Sequence, residues 1–352
     1  MRLQLIAAIA IAAPATGRAD PEVAASARIG VYADSDHTTV TTTSVAASAS
    51  PTAALRLGAQ YLADAVSSAS IDVVSSATGR IHELRHEVTT TARYQRGDHA
   101  LGAAYLYSVE HDWTSHTLAI DANRDLAQHA VTIGVAVTGG INAIGKVGDP
   151  DLRRRLVTGG GDASVTVAAS RRDLVHLDLG VALLQGYQAS PYRFAVYDDL
   201  RAVFETVPRA RLRQVIALRW NHQLFADSAL RMQVRGYRDS WGILSITGAA
   251  AYVVGLGAFD LDMHVRGYAQ RGARFYRATY AAPMRYMTAD RELSRFVDGF
   301  AGAGVAWRRD ADDGGALRID LKVDGFAFAF PEFPAMPSRT GMIVELGVAL
   351  SR

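Results

Sequence analysis

The chain has no cysteine and few charged residues, and each scarcity excludes a class of protein. Without thiols it cannot form a disulfide scaffold, a thiolate zinc site or a cysteine nucleophile. Charged residues make up 20% of its 352 residues and leave a formal net charge of +2. Electrostatics therefore do not favour nucleic acid as a partner. Hydrophobic residues make up 49%, which excludes intrinsic disorder.

The N-terminal residues have the pattern of a secretory signal peptide. Arg2 gives a positive start, residues 3–13 form a short apolar run, and small residues up to Ala19 offer a cleavage site. The apolar run is too short to cross a bilayer as a helix. We therefore expect residues 1–19 to be a signal peptide that is removed, and residues 20–352 to form one exported domain.

Beyond the signal, hydrophobicity alternates with a period of two. In residues 317–324 every odd position is aliphatic and every even position is charged. A β-strand directs successive side chains to opposite faces, so such a segment has one apolar and one charged face. Many runs reach about 10 to 15 residues, whereas soluble strands average about 5 to 6 and about 9 to 11 residues cross a bilayer as a tilted strand. The pattern predicts an all-β fold, an antiparallel transmembrane β-barrel of the outer membrane.

Turn-forming residues divide the chain into sixteen strands, with fourteen and eighteen as alternatives. The predicted strands are 27–34, 38–49, 53–65, 80–95, 99–109, 114–126, 129–141, 160–171, 174–187, 210–225, 229–239, 242–254, 257–270, 297–308, 316–329 and 340–351. The short turns then fall together at one end of the barrel. The longer connections, near 66–79, 142–159, 188–209, 271–296 and 330–339, fall at the other. This segregation predicts short periplasmic turns and longer outer loops.

Seven segments resemble an uncharacterised bacterial family, domain of unknown function 3570. They are residues 32–36, 69–78, 83–87, 190–193, 237–242, 270–276 and 288–294. The resemblance implies an exported barrel, which agrees with the alternation. It implies no established activity, so it transfers no catalytic residues. It also implies an envelope lipoprotein as a partner.

Residues 82–86 match the H-E-x-x-H pattern of zinc proteases. That chemistry needs a helix, which brings both histidines onto one metal ion. Here the motif continues into Val88 and three threonines, which favour a strand. On a strand His82 and His86 lie about 13 Å apart and Glu83 points to the opposite face. We therefore expect no metal site here.

The charged positions of the alternating strands are predicted to face the barrel interior. They are Glu83, Arg85, Glu87, Arg93, Asp178, Arg213, Arg219, Arg231, Arg235, Asp260, Asp262, Arg266, Arg318, Asp320, Lys322 and Asp324. One interpretation is an aqueous channel of mixed charge, which the width of a barrel of about 16 strands favours. The alternative is a closed lumen filled by interlocked ion pairs, since both signs occur in similar number.

The two longest outer loops combine arginines with aromatic residues. The candidate binding residues in these loops are Tyr192, Arg193, Arg274, Tyr276, Arg277, Arg285, Tyr286 and Arg291. Guanidinium groups beside aromatic faces suit anionic or sugar-like ligands. The loop at 271–296 either folds inward as a constriction, packs on itself, or binds lipopolysaccharide phosphates. The last two roles together are favoured over a substrate site.

The sequence thus favours a porin-like channel for small polar or charged solutes, with no catalysis, metal or cofactor. One alternative is a plugged structural or partner-binding barrel in an envelope complex. Another is a barrel enzyme at the outer rim, which is less favoured because no nucleophile and base converge. The expected partners are outer-membrane lipid, lipopolysaccharide and an envelope lipoprotein, and not nucleic acid.

Overall fold

The computed structural model describes residues 23–68, 81–311 and 314–352. The predicted signal peptide and most of the predicted 66–79 loop lie outside these ranges. Within them, no helix has the length and apolar character needed to cross a membrane.

Sixteen antiparallel strands close into a single barrel, as predicted. In chain order they are β1 (Val23–Asp34), β2 (Thr39–Thr52), β3 (Leu55–Ser68), β4 (Ile81–Arg96), β5 (His99–Val109), β6 (Trp113–Leu126), β7 (Val131–Lys146), β8 (Asp149–Ala168), β9 (Asp173–Gly186), β12 (Ala210–Phe225), β13 (Ser228–Asp239), β14 (Leu244–Leu256), β15 (Phe259–Arg271), β16 (Phe296–Asp310), β17 (Ala316–Ala329) and β18 (Ser338–Ser351). A short hairpin, β10 (Phe194–Val196) with β11 (Ala202–Phe204), lies in the loop between β9 and β12. A 3-10 turn, Arg291–Leu293, lies in the loop between β15 and β16.

The barrel closes between its first and last strands. Their register runs from the pair Ala24 and Ser351 to the pair Asp34 and Gly341. Both termini of the described chain therefore lie at one end, which we call the turn end because the connections there are short. The opposite end, here the loop end, carries the loops 187–209, 272–295 and 330–337.

The outward face of the barrel is apolar. On β17, Ile319, Leu321 and Val323 are all exposed, and on β7 the same is true of Val135 and Val137. Each of the sixteen barrel strands carries at least one exposed large apolar side chain, which matches the band that outer-membrane barrels present to lipid.

The best-buried side chains of the described residues lie in the loop layer and not in the barrel. Phe330, Thr288 and Ser294 are fully buried there. Phe330 belongs to a cluster with Trp241, Phe275 and seven further buried residues, which come from four loop-end connections and the start of β16. The loops therefore form a packed layer with its own hydrophobic core.

One predicted loop is wrong. Residues 142–159 were expected to be a long outer connection, but β7 and β8 continue through them and meet at a tight turn at residues 147–148. Gly148 has φ +80°, a conformation that glycine adopts without strain. Ile144 and Leu156 are buried with Leu184, a residue far away in the sequence. Packing against β9 extends the hairpin through a segment rich in loop-forming residues.

Candidate functional site: the barrel interior and the loop layer

All sixteen charged residues of the predicted lumen lie on strand positions that alternate with the exposed aliphatic ones. They occupy β4 (Glu83, Arg85, Glu87, Arg93), β9 (Asp178), β12 (Arg213, Arg219), β13 (Arg231, Arg235), β15 (Asp260, Asp262, Arg266) and β17 (Arg318, Asp320, Lys322, Asp324). Because successive side chains of a strand point to opposite faces, these residues face the interior.

The interior ion pairs run along the barrel wall. Arg85 and Asp64 join neighbouring strands at 2.6 Å, as Arg219 and Asp178 do at 3.2 Å. Other pairs skip one strand. They are Arg28 with Asp320 at 3.0 Å, Arg93 with Asp121 at 3.3 Å, and Arg318 with Asp260 at 3.0 Å. Each of these pairs links strands that are adjacent or one apart in the ring. These pairs therefore connect nearby strands, and none of them crosses the lumen to the opposite part of the barrel.

Arginines concentrate on the inner face of β12 and β13. Arg235 lies opposite Ala217, Arg219 opposite Gln233, and Arg231 opposite Asn221. These three arginines occupy successive interior levels, about 7 Å apart along the strands. Arg213 lies two levels closer to the loop end. We call these four residues the arginine track.

The arginine track is only partly neutralised. Arg219 pairs with Asp178. Arg231 and Arg235 are exposed and make no ion pair with any described residue. The track therefore presents uncompensated positive charge to the interior.

Acidic residues lie on the far side of the ring. Strand β3 is eight strands from β13 in either direction and so lies directly across the barrel. It carries Asp64 and Arg56, and its neighbour β4 carries Glu83, Glu87, Arg85 and Arg93. The interior thus has a basic side and, across from it, a side where acids and arginines are equal in number.

Several interior residues were absent from the prediction. They are Arg28, Asp64, Asp121, His264 and Asp298, each of which pairs with a predicted residue. Extending the alternation through the small-residue segments of β1, β3, β6 and β16 would have found the acids and Arg28. Their partners depend on strand register and on the order of strands around the closed ring.

The loop layer is held by a buried polar group beside its hydrophobic cluster. Arg193 Nη1 donates to Asp290 Oδ2 at 2.7 Å and lies 3.6 Å from Glu205 Oε2. Thr288 Oγ1 donates to the same Glu205 oxygen at 2.7 Å. The side chains of Arg193, Glu205 and Asp290 are nearly inaccessible. These contacts join the loop 187–209 to the loop 272–295.

Further contacts fix this layer to the rest of the barrel. Arg291 donates to Asp36 in the turn after β1, and Arg339 of β18 lies 3.3 Å from Glu292. Tyr192 donates its hydroxyl proton to Asp112 at 2.5 Å, in the turn after β5. The loops therefore reach across the loop end to strands on several sides.

The eight candidate binding residues divide into two groups in the structure. Tyr192, Arg193 and Arg291 bind other residues of the chain, as just described. Tyr276 is buried, and its hydroxyl donates to the carbonyl of Glu332 at 3.0 Å. Loop packing thus accounts for these four. The other four are Arg274, Arg277 and Arg285, which are exposed, and Tyr286, which packs on Phe275.

Burial perturbs two carboxyl groups in the loop layer. It raises the pKa of Glu205, with Arg193 opposing the shift and Asp290 adding to it. It likewise raises the pKa of Glu292, with Arg339 opposing and Asp290 adding. In both cases the cost of removing a carboxylate from water exceeds the attraction of the nearby guanidinium.

The H-E-x-x-H segment lies on β4, as the β-branched residues after it predicted. Glu83 faces inward, and His86 faces outward with its Nδ1 2.6 Å from the Tyr61 hydroxyl. Glu83 instead approaches Glu110 and Asp112, with carboxylate oxygens of all three within 4.8 Å of one another. Tyr192 donates to one of these acids, so the group is part of the loop contacts.

A family model for a protein of unknown function, DUF3570, matches residues 25–318. The chain belongs to this family. The match covers most of the barrel and agrees with the resemblance drawn from the seven segments. No curated protein matches this DUF3570 chain in sequence.

Solved structures similar to this DUF3570 chain are outer-membrane barrels. A bacterial polysaccharide outer membrane secretin has a TM-score of 0.52 at 10% identity, covering 94% of this chain and 97% of that chain. The outer membrane protein OpdK from Pseudomonas aeruginosa has a TM-score of 0.46 at 7% identity, covering 94% and 99%. The siderophore receptor PirA from the same species has a TM-score of 0.45 at 12% identity, covering 89% of this chain but 57% of the receptor. At these identities the likeness concerns the fold alone.

Proposed function

We propose that this protein is a porin-like channel of the bacterial outer membrane that passes small polar or charged solutes. The observation that carries the proposal is the water accessibility of charged side chains on the interior face. The side chains of Arg219, Arg318 and Arg28 are 49%, 45% and 43% exposed. In an interior filled by packed side chains, arginines would be buried against their partners. Accessible ones indicate space for water, as expected for a barrel of this strand number.

The charge distribution favours anions among these solutes. Arg231 and Arg235 supply positive charge without an ion-pair partner, at successive levels that an anion would meet as it crosses. Rings or rows of arginine are the usual means by which a pore admits anions. Across the barrel, the acids of β3 and β4 are matched by arginines on the same strands, as in the pair of Asp64 with Arg85, so that side does not oppose the anion preference. No group in this arrangement is assigned a catalytic role.

The loop layer supports a second candidate function. Its hydrophobic cluster and its buried Arg193, Glu205 and Asp290 cover part of the loop end. A layer packed this well suits a barrel that is closed until a partner, such as an envelope lipoprotein, or a condition opens it. In that case the protein is a structural or partner-binding barrel.

Planar-bilayer conductance distinguishes the two functions. The purified full-length protein is compared with a variant in which residues 194–204, the β10–β11 hairpin, are replaced by a short glycine-serine linker. A channel gives stable current steps in the unmodified protein and larger ones in the variant. Current in the variant alone would overturn the open channel and support the partner-gated barrel. If neither the unmodified protein nor the variant gives current, although both are correctly folded in the bilayer, the result would support a plugged lumen.

A further inference from the structure

The outward face of the barrel carries a hollow next to arginines that do not face the lumen. Its volume is about 750 Å³, within the range of small-molecule sites, about 300–1,000 Å³. Lining side chains come from β7, β8, β9, β12, β13 and β14. Twelve of the sixteen lining residues are aliphatic or glycine, and the others are Asp162, Gln214, Tyr237 and Arg238.

Strand register explains why a hollow forms there. In one cross-strand row, Ala163 lies between Val135 and Leu179, and further along Gly236 lies beside Ile216. In the next row toward the loop end, Gly161 lies between Val137 and Val181. Small residues therefore interrupt two rows of large aliphatic ones. The surface is recessed where their side chains are missing.

The row that contains Gly161 ends in two arginines. Across β12, β13, β14 and β15 it continues through Gln214, Arg238, Leu244 and Arg271. Arg238 and Arg271 flank Leu244, so their backbones are about 10 Å apart, two strand spacings. Both are exposed, on the same outward face as Leu244 and at the loop-end edge of the apolar band.

These arginines have no acidic partner among the described residues. Arg238 Nε donates to the neutral Gln214 Oε1 at 2.5 Å, which leaves its terminal nitrogens free of carboxylate. Arg271 makes no hydrogen bond or ion pair through its side chain within the described ranges. A third exposed arginine, Arg274, donates to the Ser240 carbonyl at 2.6 Å, at the next level beyond Arg238. Three guanidinium groups thus collect where the apolar band meets the loops.

Cations on the lipid-facing surface are costly in the hydrocarbon and tolerated at its edges. Guanidinium groups bind phosphate through paired, charge-assisted hydrogen bonds. A ligand that suits both features has phosphate on its headgroup and an acyl chain below it. Two arginines, Arg238 and Arg271, whose backbones are about 10 Å apart further suit a headgroup with more than one phosphate.

We propose that Arg238, Arg271 and Arg274, with the adjoining hollow, form a binding site for lipopolysaccharide of the outer leaflet. The arginines hold the phosphates of its lipid anchor, and an acyl chain lies over Gly161, Ala163 and Gly236. The proposal rests on the outer-membrane location but does not depend on channel activity.

The test measures lipopolysaccharide retained by purified, detergent-solubilised protein and the thermal stabilisation produced by adding it. The double variant Arg238→Gln/Arg271→Gln removes the phosphate contacts. The matched control is Arg309→Gln, since Arg309 is an exposed outward arginine at the turn end of β16. Gly161→Leu fills the hollow while leaving all three arginines in place. The nearest atom to the added Cβ is the Ala136 carbonyl oxygen at 3.7 Å, an ordinary contact.

We expect about tenfold weaker lipopolysaccharide binding in the double variant and a smaller loss in Gly161→Leu, with Arg309→Gln unchanged. Phosphatidylglycerol micelles and sodium phosphate serve as alternative probes. Equal stabilisation by phosphatidylglycerol would overturn the choice of lipid. Full competition by sodium phosphate would show an anion site without a lipid requirement. Unchanged binding in both the double variant and Gly161→Leu would overturn the site itself.

Discussion

Leu321 and Asp320 are adjacent on β17, and the barrel predicts opposite outcomes when each is replaced by arginine. Leu321 is 43% exposed, whereas the Asp320 side chain is 19% exposed. In a water-soluble protein, the more exposed position would accept a charge more easily. Here the exposed side of Leu321 faces lipid, so we expect Leu321→Arg to be the more damaging change.

The position of Leu321 sets the size of the effect. It lies five residues after the first residue of β17, about 17 Å along the strand. With a strand tilt of about 40°, this corresponds to about 13 Å of height, half of an apolar band about 25 Å tall. An arginine near the midplane costs about 2 to 4 kcal/mol.

The cost at Asp320 is smaller because the lumen supplies water. Asp320→Arg removes the pair with Arg28, which is itself 43% exposed, and such pairs contribute about 0 to 1 kcal/mol. Arg28 keeps a second acid, Glu345, at 3.5 Å. We therefore expect Leu321→Arg to lower the free energy of unfolding by at least 1 kcal/mol more than Asp320→Arg does.

Urea unfolding of each variant in lipid vesicles, followed by tryptophan fluorescence, measures both values. Leu321→Ala serves as the control, because it removes the same side chain without adding charge. The reasoning fails if the two arginine variants have the same free energy of unfolding, or if Asp320→Arg has the lower one. The second result would indicate an interior sealed from water.

Three further predictions follow from the interior, the loop layer and β4. Replacing Arg231 and Arg235 together by glutamine should shift the reversal potential toward cations by removing the unpaired charges of the arginine track; an unchanged potential would contradict their exposure to the pore. Burial raises the pKa of Glu205 above its ordinary 4.5, in a pocket shared with Arg193, Asp290 and Thr288. Between pH 4.5 and the raised pKa, the folded loop layer therefore binds a proton that the unfolded layer does not. The layer should resist protease better as the pH falls toward 4.5 and less well as the pH rises through the raised pKa. Glu205→Gln should flatten this pH dependence, and greater cleavage on acidification would contradict it. His86→Ala should leave the barrel folded with the same metal content, whereas loss of one zinc ion per chain would contradict the strand placement.

The strands could be predicted from the sequence because the alternation of apolar and polar residues in each strand is visible within its own segment. Alternation in 210–225 and 316–329 gave boundaries equal to those of β12 and β17. A side chain's parity on such a strand also determines whether it faces lipid or lumen, which is why the charged residues fell on one face.

Contacts between segments distant in the sequence were decided only by the tertiary structure. Arg28 meets Asp320 because β1 and β17 both flank β18, a relation set by barrel closure. Residues 142–159 became strand because Ile144 and Leu156 pack against Leu184. Arginines and aromatics in the 271–296 loop were visible in the sequence. Their partners in two other connections decide that Tyr276 is buried and the Arg291 side chain only 10% exposed, while Arg277 stays exposed. Local periodicity thus determined the wall of this protein, whereas strand register and loop packing, which depend on the closed ring, determined which charges are left unpaired.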